Sequence, residues 1–86
     1  MSIDAAMRER LASLSPSRLE IEDDSALHAG HAGAREGGHF RLTIVSGQFA
    51  GKSRVMRHRM VYEALGPLMQ RGIHALALHT LAPEEQ

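Results

Sequence analysis

Apolar and polar residues alternate along this chain with two different periods, and the points where the period changes divide it into elements. Ile3, Met7, Leu11 and Leu14 recur at helical spacing while Arg8, Glu9 and Ser13 fall elsewhere, which predicts an amphipathic helix over 2–14. Ser2 suits its N-cap and Asp4 its first turn. Ser15-Pro16 ends it, because the residue before proline avoids the helical region. From Arg18 to Ser25 the period drops to two. Leu19 and Ile21 face one way and Arg18, Glu20 and Glu22 the other, a half-buried strand closed by the turn formers Asp23-Asp24-Ser25. His39 to Ser46 alternates again, with Phe40, Leu42 and Ile44 on one face and Arg41 and Thr43 on the other. It is the natural antiparallel partner of the first strand. Between them Ala26 to Gly38 has no apolar period, four glycines, and the histidines His28 and His31. So long a loop in a small domain is expected to be mobile, functional or both.

After a turn over Gly47 to Lys52 the helical period resumes at Ser53. Met60, Val61, Ala64, Leu65 and Leu68 fall within an arc of about 140°, with Arg57 near its margin and His58, Arg59 and Tyr62 towards the opposite side. Gly66-Pro67 predicts a kink or a break into a short second helical piece before Gly72. Ile73 to Thr80 is the third strand, in which His74, Leu76 and Leu78 alternate with Ala75, Ala77 and His79. A helix between the second and third strands makes those strands parallel, with a right-handed crossover. Each strand has one more apolar face, so helices on that face give a two-layer α/β sandwich. The face with Glu20, Glu22, Arg41, Thr43 and His79 should be at least partly wet. With no repeat and no linker, residues 1–86 are expected to form a single domain.

The formal net charge is zero, so nothing global draws the chain to nucleic acid or membrane, and an electrostatic partner must find a local patch. No apolar run is long enough to span a bilayer and no secretory segment is evident, which makes a cytoplasmic chain that binds no membrane the expectation. Cysteine is absent, which removes disulfides, thiolate ligands and thiol nucleophiles. Six histidines remain, so any metal must be held by imidazole and carboxylate, or by sulfur from a partner.

His74 opens the third strand directly after Gly72, near the sheet edge; it is either a metal ligand or a strand-end histidine bonded to a nearby carbonyl. His28 and His31 are either adaptable ligands or solvated loop residues, and His39 either caps the sheet edge or joins them. Lys52, Arg54, Arg57, His58 and Arg59 form a local basic cluster. It either meets phosphates or is a solvated face paired with Glu20, Glu22 or Glu63. Two phenylalanines, one tyrosine and no tryptophan leave little on which bases could stack. No nucleophile elbow, paired-carboxylate arrangement or P-loop spacing is present, so no catalytic residues are assigned and an enzyme is not expected. Gly30-His31-Ala32-Gly33 has the letters of a KH-type Gly-x-x-Gly loop but lies between strands rather than helices.

Several separated pieces together carry a resemblance. They are Leu19-Glu20-Ile21 with Asp23-Asp24-Ser25, His28 and Gly30-His31, His39-Phe40, Ile44-Val45-Ser46, Phe49, Gly51-Lys52, Arg57-His58-Arg59, Val61-Tyr62, Gly72-Ile73-His74-Ala75-Leu76, Thr80 and Pro83. In this order they resemble the BolA family. The resemblance implies a helix-strand-strand-helix-helix-strand α+β fold of the class II KH type, with a three-stranded mixed sheet and helices on one face. It also implies pairing with a monothiol glutaredoxin and a shared 2Fe–2S cluster, in iron–sulfur trafficking or iron and redox regulation. Glutaredoxin and glutathione would supply sulfur; this chain would supply His74 with His28 or His31, and His39 as a weaker third. Alone, the chain would hold no cluster and be a monomer or weak homodimer. The resemblance also implies an alternative: a DNA-binding transcriptional regulator using Phe49 to Tyr62 as a helix-turn-helix-like surface, with Lys52, Arg54, Arg57 and Arg59 on phosphates.

Overall fold

A computed structural model describes residues 2–24 and 38–86. Its elements run α1 (Ile3–Leu11), β1 (Arg18–Asp23), β2 (Gly38–Val45), α2 (Arg54–Leu65), α3 (Leu68–Arg71) and β3 (Ile73–Leu81). Ser2 caps α1 by accepting from the Ala5 amide at 3.1 Å, and Asp4 in the first turn pairs with Arg8 at 2.8 Å. The helix tightens into a 3-10 turn over Ala12–Leu14 and stops at Ser15, which adopts the left-handed conformation (φ 48°) ahead of Pro16. Ser53 caps α2 by accepting from the Met56 amide at 3.2 Å. Gly66, at φ 55° and ψ −128°, ends it in a backbone region that only glycine adopts readily, so the break at Gly66-Pro67 yields the short α3.

The sheet order is β1-β2-β3. β1 pairs antiparallel with β2, setting Leu19 opposite Ile44 and Ile21 opposite Leu42. β2 pairs parallel with β3, setting Phe40 opposite Leu76 and Leu42 opposite Leu78. The core is one layer between this face and the helices: Phe40, Leu42 and Ile44 meet Met7 and Leu11 of α1 and Val61 and Leu65 of α2, with Phe49 beneath. The result is a mixed α+β fold with a three-stranded mixed sheet. Ser46 ties the layers together. Its buried hydroxyl donates to the Leu14 carbonyl at 2.6 Å and accepts from the Gln48 amide at 3.1 Å.

One feature breaks the alternation read from the sequence. Gly38 pairs with Ile73, but His39 pairs with Ala75, so His74 is the extra residue of a β-bulge. A regular strand would set His74 on the face of Leu76 and Leu78. The bulge instead leaves Ile73 in the core and His74 exposed. Its outer-face neighbours are His39, Arg41, Ala75 and Ala77.

Candidate functional site

The bulge brings two histidines together. The rings of His39 and His74 lie 5.1 Å apart between centroids, inclined at 45°. His74 is exposed and His39 half-buried, so both are reachable from outside the sheet. The surrounding backbone is tightly held: the Gly38 amide donates to the Gly72 carbonyl at 3.0 Å, and the Asp24 amide donates to the His39 carbonyl at 2.7 Å. The Asp24 carboxylate is engaged by Arg41 at 2.7 Å. Among the described residues no group of three or more histidine, cysteine or acidic side chains is arranged to hold a metal. Two imidazoles alone do not complete a coordination sphere. His28 and His31, and the expected mobility of their loop, lie outside the described residues. Sequence reasoning ranked His39 below those two; its position beside His74 follows from the bulge, which no local pattern announces.

The basic cluster divides. Lys52, Arg54 and Arg59 are exposed. Arg57, expected on phosphates or paired with Glu20, Glu22 or Glu63, is instead buried at 9% exposure and turned back onto the fold. Its Nε donates to the Lys52 carbonyl at 2.9 Å and its Nη1 to the Thr80 carbonyl at 3.2 Å, while Glu85 accepts from Nη1 at 2.6 Å and from Nη2 at 3.1 Å. Glu85 also accepts from the Ala82 amide at 2.8 Å. The paired guanidinium and that amide hold the Glu85 carboxyl down at about 2, and the carboxylate raises Arg57 above its ordinary value. Glu20 is taken by Arg18 at 2.6 Å. The one hint in the sequence was Arg57's place near the apolar arc of α2, which a solvated cation would not occupy.

The sequence profile of the family described as BolA-like protein matches residues 11–85. The chain belongs to the BolA family. BolA-family proteins are non-enzymatic regulators and partner proteins. This BolA-family chain is 44% identical to SufE-like protein 1, chloroplastic/mitochondrial, of Arabidopsis thaliana, over 92% of its own length but 23% of that longer protein. It is 38% identical to the DNA-binding transcriptional regulator BolA of Escherichia coli, over 99% of this chain and 80% of that one. Among solved structures, BolA1 from Arabidopsis thaliana superposes with a TM-score of 0.87 at 41% identity, covering 100% of this chain and 97% of that one. No helix among the described residues is long and apolar enough to cross a membrane.

Proposed function

We propose that this chain is the histidine-bearing partner of a monothiol glutaredoxin in the cytoplasm and shares a 2Fe–2S cluster with it, in iron–sulfur trafficking or iron and redox regulation. One observation carries the reading: His74 stands exposed at a bulge with the imidazole of His39 5.1 Å away. The donor chemistry fits. Two imidazoles are the set that holds one iron of a Rieske-type cluster, and such ligation raises the potential above that of all-sulfur clusters. The chain has no cysteine, so sulfur for the other iron comes from glutaredoxin and glutathione. His74 offers the first nitrogen; His39, or His28 or His31 from the adjoining loop, offers the second. The backbone bonds at Gly38 and Asp24 hold the end of β2 that carries His39.

The test mixes the chain with a cluster-loaded monothiol glutaredoxin and follows visible absorption and circular dichroism. Wild type should change the spectrum. His74→Ala, shown to be folded by its far-ultraviolet spectrum, should not, and alanine variants of His39, His28 and His31 identify the second ligand. An identical response from wild type and His74→Ala removes His74 as a ligand and sinks the reading.

A second reading, DNA binding, is supported by the name of the Escherichia coli relative and by the exposure of Lys52, Arg54 and Arg59 along one segment. Under it those three cations contact phosphates and Arg57 does not. Affinity for duplex DNA should then fall steeply with salt and with Arg54→Ala or Arg59→Ala. Salt-independent binding, or none, would dispose of it.

A further inference from the structure

The two edges of the sheet are built differently. β1 presents Arg18, Glu20, Glu22 and Asp23, the charged residues with which natural edge strands resist pairing. β3 is nine residues long and contains no Lys, Arg, Asp, Glu or Pro from Ile73 to Leu81. Among the described residues no strand pairs with its outer side. The Leu81 carbonyl accepts from the Ser46 amide, toward the end of β2, while the Thr80 carbonyl points the other way to Arg57. Successive backbone groups alternate along a strand, so the N–H and C=O of Leu78 face outward with those of Thr80. Leu76 and Leu78 are only half-buried, whereas Phe40, Leu42 and Ile44 one strand inward are 4%, 1% and 0% exposed.

Alongside this edge runs a cleft of about 450 Å³ between β3 and the start of α2, lined by Lys52, Arg54, His58, Leu78, His79 and Leu81 among others. Arg57 and Glu85 also border it but neutralise each other. Lys52 and Arg54 make no ion pair among the described residues, so their charge faces the cleft uncompensated. The Thr80 carbonyl is already held by Arg57, but the edge at Leu76 and Leu78, beside a basic channel, has the parts of a strand-addition site: main-chain bonds for affinity, side-chain pockets and charge for choice.

We propose that the open edge of β3 receives an extended acidic segment of a partner protein as a fourth strand, with Lys52 and Arg54 meeting its carboxylates. A second copy of this chain fits less well. An antiparallel β3 would bring its own Arg71 end towards the same basic cleft. Nucleic acid fits less well because both phenylalanines are buried, so the cleft offers a base only the small imidazoles of His58 and His79 to stack on. The site uses the opposite end of β3 from His74, so it stands whether or not the histidines hold a cluster.

The test is an amide-resolved NMR titration with a short end-capped peptide of alternating glutamate and valine. The expected shifts are confined to Leu76–Leu81 and 52–58, with slowed exchange of the Leu78 amide. Lys52→Glu with Arg54→Glu should weaken binding by about tenfold or more. A peptide N-methylated at alternate residues should not bind, a control that leaves the protein untouched. The same His74→Ala variant should bind the peptide like wild type, which separates this result from the cluster experiment. No shift at about 1 mM peptide overturns the proposal, as does equal binding of a lysine–valine peptide. So does tighter binding of a single-stranded oligonucleotide to the same residues, or a doubling of mass with these shifts in the protein alone.

Discussion

Arg57 and Glu85 grip each other through two parallel hydrogen bonds, at 2.6 and 3.1 Å, across 28 positions of sequence. The pair fastens the last turn of the chain, Pro83–Glu85, to α2, while a further bond at 3.2 Å from the same guanidinium occupies the Thr80 carbonyl at the sheet edge.

Loss of this fork should be read as loss of stability before loss of function. Arg57→Ala removes the guanidinium donor from the carbonyls of Lys52 and Thr80 and leaves the Glu85 carboxylate only the Ala82 amide, and should lower the melting temperature. Arg57→Lys should recover only part of it, since an ammonium cannot reproduce the planar fork. Arg59→Ala, at an exposed position, should melt like wild type. Equal melting temperatures for Arg57→Ala and Arg59→Ala would refute a structural role for the buried guanidinium.

The same pair sets an acid limit. The Glu85 carboxyl is held at about 2 against an ordinary 4.5, so the folded state binds its proton less readily than the unfolded state. Its contribution is therefore fully present above the ordinary value and drains away as pH falls from there towards 2. Urea midpoints measured across that window should fall more steeply for wild type than for Glu85→Gln. Parallel profiles would show that Glu85 titrates alike in both states.

Ser46→Ala should cost about 1–3 kcal/mol, because the buried Leu14 carbonyl loses a donor at 2.6 Å and no water can replace it without opening the core. Urea denaturation checks this. A change under a few tenths of a kcal/mol would mean that the α1 end relaxes to find another donor.

Gly66→Ala should cost about 1–3 kcal/mol, since φ 55° with ψ −128° is closed to residues with a Cβ. The added carbon would also stand 3.1 Å from a guanidinium nitrogen of the exposed Arg10, which can move aside, so the cost lies in the backbone conformation. Gly47→Ala, with ordinary φ and nothing within 4 Å, serves as the neutral comparison. Similar stabilities for the two variants would show that the turn at 66–67 rearranges freely.

Most of the architecture was legible before any coordinate. The helix of Ile3, Met7, Leu11 and Leu14, the alternations around Leu19 and Leu42, and the break at Gly66-Pro67 are properties of neighbours within a few residues, and local periodicity reports them. A helix between β2 and β3 was enough to anticipate that they run parallel. The candidate site was less legible. His74 stood out by its place after Gly72, but the alternation assigned it to the wrong face of its strand. A bulge depends on how one strand registers against another, and each strand alone reads as regular.

The sequence by itself therefore determined the element order, the buried stripes of α1, β1 and β2, the family, and the absence of cysteine that leaves any thiolate ligand to a partner. Tertiary structure alone decided which side chains meet. It set His39 against His74 across 35 positions of sequence by a one-residue slip in pairing, and it drew Arg57 out of the basic cluster to Glu85. Both are contacts between residues far apart in sequence, fixed by packing and register rather than by any local preference, and for that reason no reading of neighbours could supply them.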